Sequence, residues 1–144
     1  MNVTEKVTTK ITIETLQQAL ADYFAPWVQA LGLKVESIDD DGVCLRLPQN
    51  EQLSRVGGML CGQAMMAAAD TAMVLALIRH FGEFRPCTTV QLNTSFLKPL
   101  SGQDALIMAR VLRAGKSLAF GEIDLRGAQD GKSVCRSSTT YALL

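Results

Sequence analysis

The first regular segment of the chain has apolar residues at the spacing of one helix face. The apolar positions that define this face in residues 12–32 are Leu16, Leu20, Phe24 and Trp27. Their spacing predicts an amphipathic helix. Thr12 or Thr15 is suited to cap its start. Pro26 should kink or end the helix, and Gly32 should stop the segment that follows.

Three later segments alternate between apolar and polar residues, as strands with one buried face do. Residues 34–48 predict two short strands around an Asp41-Gly42 turn. Residues 104–115 predict one further strand. Residues 117–143 predict a hairpin that folds back at Asp130-Gly131, because Asp-Gly pairs favour tight turns.

A very apolar run lies between these groups of strands. A loop at residues 49–58 leads into a predicted helix at about 61–80, which Gly82 and Pro86 should end. From Gly62 to Ile78 the polar side chains are Gln63, Thr71 and, near the middle, Asp70, so the helix is apolar on nearly all sides and must be enclosed by other elements. Its small residues should let a sheet approach closely; they are the alanines at 64, 67, 68, 69, 72 and 76.

The order of the elements favours an antiparallel sheet that curls around one central helix. Residues 88–99 supply another strand, with Val90, Leu92 and Phe96 on one face and Gln91, Asn93 and Ser95 on the other. Strands outnumber helices and no β-α-β alternation appears, so the predicted class is α+β. We expect one domain over residues 1–144, with residues 1–11 as a ragged N-terminus.

The charge balance gives no support for two classes of partner. Fourteen basic and fourteen acidic side chains cancel, which gives no electrostatic reason to expect nucleic acid or an anionic membrane surface, although it leaves a local basic patch open. The apolar run at 62–78 is barely long enough to span a bilayer, and Asp70 would cost about 2.5–3.5 kcal/mol there. A buried core helix is therefore the better interpretation of this run.

The cysteines and the N-terminus indicate a cytoplasmic protein. The cysteines are widely spaced, without a C-x-x-C pair or a Cys/His cluster; they are Cys44, Cys61, Cys87 and Cys135. This pattern is typical of reduced thiols, and we expect neither a metal site nor a cofactor. The first ten residues, "MNVTEKVTTK", have no apolar stretch typical of a secretory signal.

Three stretches resemble the PaaI-like acyl-CoA thioesterases, relatives of the 4-hydroxybenzoyl-CoA thioesterases with the hotdog fold. "GGMLCGQAMMAAADTA", residues 57–72, is similar to their signature G-x-x-H-G-G-x-x-x-x-L-A-D-T-A. "TVQLNTSFLKPLSGQD" resembles their next strand, and "VLRAGKSLAFGEIDLRGAQDGKSVCRSSTTYAL" resembles their final hairpin. The likeness covers about residues 30–143 and implies hydrolysis of an acyl-CoA thioester.

The resemblance also implies roles for individual residues. Gly62 and Asp70 stand where the family has its oxyanion-binding glycine and its catalytic carboxylate, and Thr89 falls near the residue that helps to hold the attacking water. Cys61 replaces the histidine of the signature and Gln63 replaces its second glycine. Arg55 lies where many relatives have asparagine. The first three of these six positions are therefore candidate catalytic residues, and the other three are candidates for contact with substrate.

The residue types suit this chemistry. Gly62 begins the central helix, where unpaired N–H groups and the helix dipole favour an anion such as the oxygen of a tetrahedral intermediate. Asp70, among apolar neighbours, is suited to act as a general base or as a nucleophile. Eight helical residues separate the two by about 12 Å, too far for one thioester carbonyl to contact both. We therefore expect Gly62 of one subunit to act with Asp70 of another, so the smallest active form is a homodimer.

The family resemblance implies that such dimers often pair into homotetramers. The CoA phosphates need cations and backbone donors, which the predicted turn at 113–117 supplies. Its candidate contacts are Arg113, Gly115, Lys116 and Ser117. Arg55, close to the entrance of the helix, is a further candidate.

Other interpretations stay open at several positions. Asp70 is also explained as a buried structural carboxylate that accepts hydrogen bonds from Thr71 or from a neighbouring chain. Thr89 is also explained by the preference of threonine for strands. Residues 113–117 are also explained as an ordinary solvent-exposed hairpin turn. A Cys61–His80 pair is excluded within one chain, because 19 helical residues span about 28 Å. The second functional hypothesis is a hotdog protein that binds acyl-CoA or a partner without turnover. The acyl group, and CoA against acyl-carrier-protein substrates, stay undecided.

Overall fold

The computed structural model describes residues 10–144. Most of the predicted ragged segment, residues 1–9, lies outside the described residues, and Ile11 packs against the core. Helix α1 (Ile13–Tyr23) begins at Thr12, whose hydroxyl and that of Thr15 form a reciprocal cap with each other's backbone N–H groups. The helix buries Leu16 and Leu20, which confirms the predicted amphipathic segment.

Pro26 separates α1 from a single further turn, α2 (Pro26–Gln29). The break leaves Trp27 64% exposed, so it does not share the buried face of α1. The single helix face predicted from Leu16 to Trp27 is therefore wrong at its end, because the kink resets the helical phase. Gly32, with φ at +72°, ends the segment as expected, since glycine adopts this conformation without steric cost.

Six strands form one sheet in which every paired neighbour is antiparallel. They are β1 (Lys34–Ile38), β2 (Gly42–Leu47), β5 (Cys87–Phe96), β6 (Ala105–Ala114), β7 (Leu118–Gly127) and β8 (Ser133–Leu143). Their order across the sheet is β1-β2-β6-β7-β8-β5. The segment predicted as a plain loop before the central helix instead contains a short 3₁₀ helix (Glu51–Leu53) and a small hairpin of β3 (Ser54–Arg55) and β4 (Met59–Leu60).

The first hairpin turns at a different place from the one predicted. The backbone N–H of Asp39 donates to the carbonyl of Gly42, so the turn lies at residues 39–41 and Gly42 is already part of β2. A Cβ atom on Gly42 would lie 2.1 Å from the carbonyl oxygen of Ala109 on β6. Gly42 is therefore needed for a close approach of two strands rather than for the turn.

The sheet wraps around α3 (Gly62–Phe81), which packs mainly against β6, β2 and β7. Five alanines of α3 are buried, as the predicted close approach requires; they are Ala64, Ala68, Ala69, Ala72 and Ala76. Gly82, with φ at +78°, ends the helix. The architecture is the predicted α+β arrangement of one antiparallel sheet around one central helix.

One stripe of α3 is not fully covered. Gln63 is exposed, and the residues that follow it at helical spacing are half-buried; they are Met66, Ala67, Asp70 and Val74. By length and composition α3 would also pass for a membrane span, but 61% of its most apolar 18-residue window is buried inside the protein. That degree of burial is typical of the core helix of a folded domain.

Strand β5 forms the edge of the sheet beside the open stripe. No strand of the described residues lies on its free side. A β-bulge interrupts its pairing with β8 between Thr89 and Gln91, and the bulged residue Val90 is 59% exposed. Val90 therefore does not continue the face of Leu92 and Phe96, and the strict alternation predicted for residues 88–99 is wrong at this position.

Candidate active site

Asp70 projects from the middle of α3 toward the ends of β5 and β8. The hydroxyl of Thr89 on β5 donates a hydrogen bond to Oδ1 of Asp70 at 2.8 Å. The hydroxyl of Tyr141 on β8 donates to the same oxygen and lies 3.0 Å from the main-chain oxygen of Asp70. Two strands thus hold one oxygen of a half-buried carboxylate, which is the arrangement expected of a positioned acid–base group.

The bulge at Val90 explains how Thr89 reaches Asp70. Beyond the bulge, Leu92 and Phe96 pair with Thr139 and Cys135, which are buried on the helix-facing side of β8. With strict alternation Thr89 would face away from the helix, because side chains an odd number of positions apart lie on opposite faces. The extra residue reverses the phase, so Thr89 pairs with the buried Tyr141 and faces Asp70.

Sequence reasoning missed Tyr141. Its side chain is 2% exposed, and burial, followed by the negative charge of Asp70, raises the pKa of its phenol. The hydroxyl therefore keeps its proton and acts as a donor at neutral pH. The signal in the sequence was an aromatic residue with a polar group on the alternating strand "SVCRSSTTYAL", where a buried hydroxyl requires a partner.

An apolar cavity of about 310 Å³ opens next to Asp70. Its walls include the side chains of Tyr23, Phe24, Trp27 and Phe84, and the Tyr23 and Phe84 rings stack with centroids 3.9 Å apart. Cys87 also lines it; burial, followed by the charge of Asp70, raises the pKa of this thiol and keeps it neutral. The cavity therefore offers an apolar surface that ends at the carboxylate.

The start of α3, at Gly62, has surroundings different from those of Asp70. Gly62 is its first residue, and in the part of the chain that the structure describes no side chain caps the helix here, Cys61 included. A Cβ atom on Gly62 would lie 3.2 Å from the ring of Phe96. Gly62 does not line the cavity beside Asp70 and lies about 12 Å along the helix from it. One chain therefore does not bring the predicted glycine and carboxylate together.

The remaining predicted contacts lie at the two ends of the molecule. Gln63 and Arg55 are exposed near the start of α3. The predicted turn connects β6 and β7, and its Arg113, Lys116 and Ser117 are exposed, with Gly115 half-buried. Leu118 and Thr88 both pair with Ala142, so the turn lies about 10 Å across the sheet from the Asp70 end of β5.

Comparison with known proteins decides the family. The family model described as "Thioesterase superfamily" matches residues 57–134. The chain belongs to the thioesterase superfamily. The matched stretch contains both Gly62 and Asp70, and the hotdog architecture expected from the resemblance is confirmed by thioesterases of known structure. The protein is a thioester hydrolase.

Individual relatives match most of this chain. Acyl-coenzyme A thioesterase 13 of Homo sapiens is 26% identical over 102 residues, 70% of this chain and 71% of the human one. A Thermoplasma acidophilum protein, Ta0293, described provisionally as an esterase, is 26% identical over 116 residues, 80% of this chain and 86% of its own. The structure of zebrafish thioesterase superfamily member 2 has a TM-score of 0.82 and 27% identity, and the match covers 94% of this chain and 100% of that one.

Proposed function

We propose that this thioesterase hydrolyses acyl-CoA to a free acid and CoA, with Asp70 as the reacting carboxylate. The observation that carries the proposal is the placement of Asp70, held by Thr89 and Tyr141 at the end of an apolar cavity of about 310 Å³. The acyl group lies in this cavity and brings the thioester carbon to the carboxylate. The human relative named as an acyl-coenzyme A thioesterase supports the choice of substrate.

The carboxylate of Asp70 acts either as a general base or as a nucleophile. As a general base it takes a proton from water, the hydroxide adds to the thioester carbon, and the C–S bond breaks with the proton passing to the CoA sulfur. As a nucleophile it adds to the carbon itself, CoA leaves as a thiolate, and water then hydrolyses the mixed anhydride and supplies the proton that the thiolate takes up. In both routes the carbonyl oxygen becomes negative and needs a donor.

A second copy of the chain supplies that donor. Strand β5 is a ten-residue edge with few buried side chains, and a long unpaired edge favours pairing with another strand. Twofold-symmetric antiparallel pairing of two β5 strands would lay the Phe96 end of one copy beside the Thr89 end of the other. Because Gly62 contacts Phe96 and Asp70 contacts Thr89, each Gly62 N–H group then meets the Asp70 of the other copy.

The CoA phosphates bind at the turn between β6 and β7. Arg113 and Lys116 are exposed there, at the end of the sheet where Thr89 lies. Cationic side chains in a turn favour phosphate through charge-assisted hydrogen bonds. Arg55 lies instead at the Gly62 end, where it would reach a substrate bound in the site of the partner copy.

The test measures thiol release from short, medium, long and aromatic acyl-CoAs by the wild type and by Asp70→Asn. The variant keeps the shape of the carboxylate but cannot take a proton or attack carbon, so we expect a loss of kcat of at least about a hundredfold. Activity retained in Asp70→Asn would overturn the role of Asp70. Wild-type protein that is stabilised against heat by an acyl-CoA but hydrolyses none of the panel would overturn the proposed function.

A further inference from the structure

We infer that Tyr141 is a positioning residue, which holds Oδ1 of Asp70 so that Oδ2 is the oxygen that acts on water or on the thioester. This inference rests on the proposed function and assigns a role to a residue for which the family resemblance implied none. It follows from which atoms of the carboxylate are occupied and from how firmly Tyr141 is held.

The two oxygens of Asp70 have unequal surroundings. Thr89 and Tyr141 both donate to Oδ1, whereas among residues 10–144 no hydrogen bond reaches Oδ2. The Tyr141 hydroxyl is also within hydrogen-bond distance of the main-chain oxygen of Asp70, at 3.0 Å. One hydroxyl thereby ties the side chain of Asp70 to its own helix turn and restricts rotation of the carboxylate. The oxygen left free for chemistry is Oδ2.

Tyr141 is well suited to restrict the movement of the Asp70 carboxylate. Its ring is almost completely buried, and its strand pairs with β5 at Thr89 and with β7 at Ala119. Thr89, by contrast, is exposed at the sheet edge. A donor fixed by a packed ring restricts its partner more than a donor on an exposed side chain does. Tyr141 is therefore the rigid member of the pair of donors.

The charges around the phenol keep it a donor. Burial and then the charge of Asp70 raise its pKa, so Tyr141 stays protonated through neutral pH and cannot itself be the base. The other titratable residues among the described walls of the cavity are Tyr23 from α1 and Cys87 from β5. Burial followed by Asp70 raises the pKa of Cys87 too, so its thiol adds no negative charge beside Asp70 at neutral pH.

A neighbouring threonine provides a matched control. Thr139 lies two residues earlier on β8, is 4% exposed, and donates its hydroxyl to the main-chain oxygen of Gln91 at 2.8 Å. Thr139→Val and Tyr141→Phe each remove one buried hydroxyl from the same strand. Only Tyr141→Phe removes a donor from Asp70, so a difference between the two variants reports on positioning rather than on folding.

The kinetic test compares these variants with the best acyl-CoA substrate. For Tyr141→Phe we expect kcat to fall about ten- to a hundredfold with KM changed by less than about twofold, because the reacting oxygen is misplaced but the acyl cavity remains. Thr139→Val should change neither quantity beyond about twofold.

A second measurement needs no activity. The chain has two tyrosines, so in a Tyr23→Phe background the isotope-edited NMR signal of the tyrosine ring carbon that bears the hydroxyl reports Tyr141 alone. Adding Asp70→Asn removes the charged acceptor beside the phenol, and we expect this signal to shift at neutral pH. An unchanged signal would overturn the contact between Tyr141 and Asp70.

The outcomes separate this inference from the proposed function. If Asp70→Asn is inactive while Tyr141→Phe behaves like Thr139→Val, Asp70 keeps its role and the positioning role of Tyr141 is wrong. If Asp70→Asn hydrolyses thioesters at the wild-type rate, the proposed function is wrong, and a shifted Tyr141 signal would then identify only a structural hydrogen bond.

Discussion

The two parts of α3 that the proposed reaction requires, its middle at Asp70 and its start at Gly62, have surroundings of different kinds. At the Asp70 end, side chains from three elements meet: a carboxylate from the helix and hydroxyls from β5 and β8. At the Gly62 end, no side chain of the described residues caps the helix, and a phenylalanine ring lies where a Cβ atom would be. One end offers side-chain chemistry and the other offers backbone N–H groups.

This difference shows that the two groups required by the proposed reaction are positioned by different means. A group that moves a proton must be placed by neighbours, and a single chain can place it completely. A backbone donor for a developing oxyanion, worth about 2.7–4 kcal/mol of barrier, comes with the start of any helix. Because a straight helix keeps these two features about 12 Å apart, in the proposed dimer each chain would contribute Asp70 to one site and Gly62 to the other.

The largest effect we expect comes from mixing two inactive variants. Asp70→Asn removes the carboxylate in the middle of α3, and Gly62→Val places a branched side chain against Phe96 at the start of the helix. Unfolding and refolding the two variants together should form heterodimers with one intact site, so about a quarter of the wild-type activity should return. A mixture no more active than its components would mean that both ends serve the same site within one chain.

A smaller effect separates the two hydroxyls on β5 that face inward. Thr89→Val removes a donor from Asp70, and kcat should fall by up to about tenfold, as expected for loss of one hydrogen bond. Thr94→Val removes instead a hydroxyl that contacts Ser137 at 2.8 Å, away from the carboxylate. Equal kcat values of the two variants would show that the Thr89 hydroxyl does not contribute to the reaction of Asp70.

The smallest effect concerns where the CoA phosphates lie. Arg113→Ala and Lys116→Ala should each raise KM by about two- to fivefold at low salt, and the effect should shrink as salt screens exposed charges. Arg55→Ala, at the Gly62 end, should have less effect on KM. The KM values of the three variants at low and high salt show whether the phosphates bind at the turn between β6 and β7 or beside Gly62. A larger effect of Arg55→Ala would place the phosphates beside Gly62.

Much of the fold follows from local patterns. The central helix, its end at Gly82 and the turn at Asp130-Gly131 were all predicted, because helix caps and glycine conformations are decided by a few adjacent residues. The helical phase at Trp27 was wrong because Pro26 breaks the helix one residue earlier. Local patterns thus predict elements well and the exact face of a residue less well.

The candidate site was predictable only in part. Asp70 and Gly62 stand out because a carboxylate and a glycine are unusual in so apolar a helix. Tyr141 comes 71 positions after Asp70, and no local pattern links residues so far apart in the chain. The cytoplasmic location and the homotetramer stay predictions, since both depend on properties outside a single folded chain.

The bulge at Val90 makes the pairing register of β5 as important as its composition. If Val90 instead paired with β8 as an ordinary residue of a regular ladder, the sheet would be more uniform. The change of phase would also turn Thr89 to the outer face and separate its hydroxyl from the carboxylate of Asp70. A redesign that straightens this strand for stability while keeping all its residues would therefore lose this contact without altering a single polar side chain.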